Sequence, residues 1–140
     1  MDELNLNLGD LNLDVLLIEN QKEMGGGPYL DWLKCEVRVS VAHFSGSFKW
    51  EVMPKELNAL ANELMEQYDE FPDLVSVTFE PIEPNIILRF DITPTGAITG
   101  NYSFCDDFAD GSTLKGQFKI DQSYLPCLAN DIRAFVKAAG

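Results

Sequence analysis

Leu4-Asn5-Leu6-Asn7-Leu8-Gly9-Asp10-Leu11-Asn12-Leu13-Asp14-Val15 alternates apolar and polar residues on both sides of a Gly-Asp pair. Alternation is the signature of a half-buried strand, because successive side chains point to opposite faces. A two-residue Gly-Asp loop matches the twist of a hairpin. With the turn there, Leu8 faces Leu11, Leu6 faces Leu13 and Leu4 faces Val15. All six apolar side chains then share one face, and a one-residue slip would turn one strand's set to water. The chain is therefore expected to open with an antiparallel hairpin, its first strand weakened by asparagines.

The same alternation recurs downstream. Leu33, Cys35, Val37, Val39 and Val41 alternate with Lys34, Glu36, Arg38 and Ser40. Ser45-Gly46 is read as the turn, with Phe48, Trp50 and Val52 as the core face of the return strand. Pro54 suits a helix's first turn. Leu57, Leu60, Ala61, Leu64, Met65 and Tyr68 follow at helical spacing until Pro72. Val75, Val77 and Phe79 read as a strand, as do Ile86, Leu88, Phe90 and Ile92. Thr95-Gly96 turns the chain into Ile98, Gly100, Tyr102 and Phe104. After an acidic loop over 106–112, Leu114, Gly116, Phe118 and Ile120 make the last strand. Asp121 or Ser123 is the expected N-cap of a final helix with Leu125, Leu128, Ile132, Phe135 and Val136 on one side. The expectation is an α+β domain spanning residues 1–140. About seven antiparallel strands, mostly in hairpin order, form a sheet with two α-helices packed on it. Parallel strands covered on both faces would read as unbroken apolar runs instead.

A chain of 140 residues with 46% hydrophobic residues has enough apolar material for one core. Its 10 Lys and Arg against 23 Asp and Glu leave a net charge of -13. That excludes a nucleic-acid binder that works by displacing counterions, and electrostatic docking on anionic lipid. No nucleic acid and no membrane are expected as partners, and no cofactor. The opening Met1-Asp2-Glu3 lacks a secretory pattern, so a cytoplasmic location is expected. Cys35, Cys105 and Cys127 have no zinc or disulfide spacing and read as small buried hydrophobes in a reducing compartment.

Catalytic signals are weak. Gly25-Gly26-Gly27-Pro28 is a loop without the Lys-Ser/Thr of a phosphate cradle or the spacing of a dinucleotide fingerprint. His43, the single histidine, has no local partner for acid–base work. Asp106, Asp107 and Asp110 lack the alternating ligands and closing Glu of an EF-hand and read as a solvated loop. No catalytic residue and no metal ligand is assigned. Trp50 shares a face with Phe48 and Val52 and is expected in the core, whereas Trp32, of opposite parity to Leu33, is the better interface aromatic. Phe71 and Tyr29 are weaker candidates of that kind. Between Lys55 and Arg89 there is no Lys or Arg, but there are eight acids: Glu56, Glu63, Glu66, Asp69, Glu70, Asp73, Glu80 and Glu83. Such a stretch serves solubility or steers a basic partner.

Four segments carry a family resemblance: Asp31-Trp32-Leu33, Glu56-Leu57-Asn58-Ala59-Leu60, Glu83-Pro84-Asn85-Ile86 and Asp121-Gln122-Ser123-Tyr124-Leu125. In this order the chain resembles the WapI-type immunity proteins, partners of bacterial wall-associated polymorphic toxins. The resemblance covers most of the chain from Asp31 onward plus the leading hairpin. The family's usual aromatic-proline ending is replaced here by Phe135-Val136-Lys137-Ala138-Ala139-Gly140. What the resemblance implies is a non-enzymatic inhibitor of a cytoplasmic toxin, often a nuclease, whose basic cleft an acidic domain would cover. The candidate partner-binding residues are Glu66, Asp69, Glu70, Asp73, Asp106, Asp107, Asp110 and Trp32. Two other readings stand beside it. One is a scaffold domain or homodimer joined through a sheet edge. The other is a metal-dependent enzyme using the acidic loop and His43.

Overall fold

The computed structural model describes residues 2–21, 31–107 and 109–140. The loop read at Gly25–Pro28, and Tyr29 with it, lies outside the described residues. The chain is α+β, with strands β1 (Glu3–Leu8), β2 (Leu11–Gln21), β3 (Trp32–Val41) and β4 (Phe44–Val52), then helix α1 (Pro54–Asp69). Strands β5 (Ser76–Phe79), β6 (Ile86–Ile92), β7 (Ala97–Cys105) and β8 (Thr113–Asp121) follow, and helix α2 (Leu125–Ala139) closes the chain. The eight strands divide into two antiparallel four-stranded sheets, β1-β2-β3-β4 and β5-β6-β7-β8. The hairpin order is as expected; the division arises because α1 interrupts the succession of hairpins.

The opening hairpin has the register that its alternation dictates: Leu8 pairs with Leu11, Leu6 with Leu13 and Leu4 with Val15. All six are buried. Gly9 turns with φ 65°. A Cβ there would sit 3.0 Å from the Lys119 carbonyl oxygen, so close approach to β8 also requires glycine. The buried faces of both sheets and both helices merge into one hydrophobic cluster. α1 and α2 pack on each other, α1 also against β5 and α2 against β1. Gln67, fully buried, fastens α1 to the second sheet: its Nε2 donates to the carbonyls of Val75 (3.2 Å) and Phe90 (3.0 Å).

Several local expectations are corrected. The β3–β4 turn is Ala42-His43, with Ala42 at φ 49°, and Ser45 and Gly46 lie inside β4. Gly46 was read as a turn residue, yet it simply occupies a strand position opposite Val39. Tyr68 is exposed, because Gln67 takes the inward position of that helical turn. Val75 is exposed and precedes β5. Of the two cap candidates, Asp121 caps the short 3-10 turn ahead of α2, its carboxylate accepting the Ser123 amide at 3.3 Å, while α2 itself starts after Tyr124 without a side-chain cap. Only Cys35 of the three cysteines is fully buried; Cys105 is half-buried and Cys127 exposed.

Candidate partner-binding surface

The acid-only stretch begins with a carboxylate committed to the fold. One oxygen of Glu56 accepts the Met53 amide (3.0 Å) and the other the Ile82 amide (2.8 Å), satisfying a helix-end donor and holding the segment before β6. Beyond it, α1 is two-faced. Leu57, Leu60, Ala61, Leu64 and Gln67 are buried, while Glu63, Glu66, Asp69 and Glu70 are exposed. Asp73 is exposed in the turn that follows.

These acids stand where the helix disfavours them. The C-terminal end of a helix is its negative pole, and acidic side chains there cost a few tenths of a kcal/mol each. Glu66, Asp69 and Glu70 sit at that end, with no basic residue in the last turn. Among the described residues the salt bridges are Arg38–Glu36 and Arg89–Asp91, and none involves this group.

The loop joining β7 to β8 uses its acids differently. Asp106 Oδ1 accepts the amides of Asp107 (2.9 Å) and Ser112 (2.7 Å). Asp107 Oδ1 accepts the Ala109 amide (2.9 Å). Asn85, buried before β6, donates from Nδ2 to the Cys105 carbonyl (2.9 Å) and anchors the loop's base. Asp110 is exposed.

The two acidic groups do not meet. The segment through Asp73 reaches its sheet at Val75, whose carbonyl accepts the Ile92 amide. The loop caps the other end, where Ile86 pairs with Phe104. The six steps of β6 between them span about 20 Å at roughly 3.3 Å per residue. Trp32, half-buried, opens β3 beside the Leu33–Val52 pair, at the opposite end of the β3–β4 hairpin from Ala42. Trp50 is buried, its Nε1 donating to the Glu83 carbonyl (2.9 Å) and its ring edge-on to Phe79. Phe71 packs against the core, and His43 is exposed in its turn.

Among the described residues no three His, Cys, Asp or Glu side chains gather to hold a metal ion. Burial pushes the Cys35 thiol up to about 12, far from a nucleophile's range. Among the described residues no helix is long and apolar enough to cross a membrane.

One feature of this surface escapes the sequence reading. Phe44 is 64% exposed at the start of β4. With the turn placed at Ser45-Gly46, the row Phe48, Trp50, Val52 lost its first two members, Phe44 and Gly46. Period-two parity extended backward from Phe48 would have found them. The profile of the Immunity protein WapI-like family matches residues 6–140. No curated protein matches the chain.

Proposed function

The chain belongs to the WapI-like immunity protein family, and from that premise we propose that it neutralises a cognate toxin without catalysis, by laying an acidic surface over a basic substrate-binding cleft. The supporting observation is the last turn of α1. Glu66, Asp69 and Glu70 crowd the negative pole of the helix with no basic residue in that turn. A fold selected for stability alone would place cations there. With Asp73 they make a region that speeds encounter with a positively charged partner.

Asp106, Asp107 and Asp110 form a second region at the far end of the same sheet, and Trp32 is the aromatic candidate on the first sheet. A standard interface covers about 800 Å² on each partner, so regions about 20 Å apart fit within one footprint. A basic nuclease would be inhibited by competition with its own polyanionic substrate. Three free cysteines suit a reducing compartment, and the reading places the protein in the cytoplasm with its toxin.

Co-expression with a polymorphic toxin, sought among the open reading frames neighbouring this gene, tests the reading. Protection of the cell, a stable complex, and an association rate that falls steeply with salt are expected. Neither protection nor a complex would end it.

A further inference from the structure

A sheet edge is a row of unpaired amides and carbonyls, and proteins shield such rows with covering elements, charges, prolines or shortness. Among the described residues, three of the four edges have such a device beside them. α2 packs against β1; β5 has four residues and lies against α1. β8 carries exposed Lys115 and Lys119, and the β1–β2 turn rests on it. The fourth edge is β4. Among the described residues it has a strand neighbour on one side only, and its first four residues, Phe44-Ser45-Gly46-Ser47, are exposed and uncharged.

The core-facing row of β4 also runs off the core. Val52 and Trp50 are buried and Phe48 is half-buried, while Phe44 is exposed. Gly46 lies between the last two, opposite the buried Val39. Among the described residues, a Cβ built on Gly46 meets no atom within 4 Å. Beneath it is a hollow of roughly 320 Å³ walled by Val39, Phe44, Phe48, Phe104 and Leu114, with Asp106 its one charged lining residue. A neighbouring hollow farther along β4 shares Asp106 and adds Glu51, Glu83 and Asp107 against Lys34 and Lys49. The first hollow is thus lined by apolar and hydroxyl side chains with one acid, and the second by four acids against two lysines.

We propose that the open edge of β4 takes up an extended, basic segment of the toxin as an added strand, with one apolar side chain of that segment seated beneath Gly46. Strand addition draws affinity from main-chain hydrogen bonds and specificity from pockets for alternate side chains. Charge selects the occupant. A second copy of this chain would bring a further net charge of -13 to two net-acidic hollows, whereas Lys or Arg would complement them. The inference rests on the immunity reading and adds to it the anchor that sets residence time, apart from the acids that set encounter rate.

The test is hydrogen exchange on the full chain, alone and bound to the toxin identified by the co-expression experiment, together with dissociation rates for Gly46→Val and Phe44→Lys. Binding is expected to slow exchange over residues 44–48. Both variants, altering exposed positions, are expected to keep the wild-type melting temperature and to release the toxin at least about tenfold faster. A complex that leaves residues 44–48 exchanging freely, or that both variants hold as wild type does, overturns the proposal and leaves the immunity reading standing. Failure of the unmodified chain to bind the toxin overturns both. Protection of residues 44–48 that rises with the concentration of this chain alone assigns the edge to a second copy and also overturns it. Should Gly46→Val fail to fold, exchange on the unmodified chain still decides.

Discussion

Carboxylates on α1 and carboxylates in the β7–β8 loop are the same chemical group put to opposite uses. In the loop, Asp106 and Asp107 turn their oxygens onto backbone amides and shape the chain that carries them. On α1, Glu66, Asp69 and Glu70 point into solvent at the end of the helix that repels them. The loop acids are bound up in local structure, while the helix acids work against it. An acid that the fold leaves unused is thus the stronger clue to partner binding, and the loop acids can serve a partner only alongside their structural work. Glu56 makes the same point within the helix, since both of its oxygens serve backbone amides.

Position 67 separates the two uses most sharply, because it lies among the helix acids in sequence and inside the core in space. Gln67→Glu would put a carboxylate beside the carbonyls of Val75 and Phe90, replacing two donated hydrogen bonds by repulsion. The expected cost is about 3 kcal/mol or more, the usual penalty for an uncompensated buried charge. The sign with pH follows. A buried carboxyl titrates above the unfolded value near 4.3, so the folded state holds its proton longer and stability falls as pH rises past that value. Urea unfolding at pH 4 and pH 7 is expected to show the variant nearer to wild type at the lower pH. Equal stability at pH 7 would mean that the helix tolerates acids on any face.

A smaller loss is expected in the loop. Asp106→Ala removes the acceptor for two amides and is expected to cost about 1–2 kcal/mol, comparable to deleting a cap. Asp106→Asn keeps a side-chain carbonyl and is expected to lose less. Thermal unfolding of the pair distinguishes the acceptor from the charge. If Asn were as damaging as Ala, the charge itself would be holding the loop.

Much of the fold is legible in the residues because period-two alternation carries face and register together. The Leu8–Leu11 turn shows this, as does the row Ile86, Leu88, Phe90, Ile92, all of it buried. The reading faltered where one residue type serves two geometries. Gly46 looks like a turn and lies in a strand; the true turn uses Ala42 at positive φ, which composition does not announce. Gln67 was invisible, since its burial depends on two carbonyls brought to it by distant strands. The division into two sheets was equally hidden, because hairpin order says which strands are consecutive and nothing about where a sheet ends. Among the candidate site residues, the charge asymmetry was plain from composition. The roughly 20 Å between its two halves follows from the β6 register and was not.

The gentlest change bears most directly on function. Neutralising Glu66→Gln, Asp69→Asn, Glu70→Gln and Asp73→Asn together removes repulsion between neighbours three and four apart and relieves the helix's negative pole. Stability is expected to rise slightly, by about 0.5–1 kcal/mol. Association with the toxin is expected to slow by about tenfold at low salt, with a shallower salt dependence and little change in dissociation. The two effects have opposite signs, which a purely structural role would not produce. Stopped-flow association beside thermal unfolding reads both. A variant that is less stable, yet binds as fast as wild type, would reduce these acids to solubilising groups and shift recognition to the β7–β8 loop, Trp32 and the β4 edge.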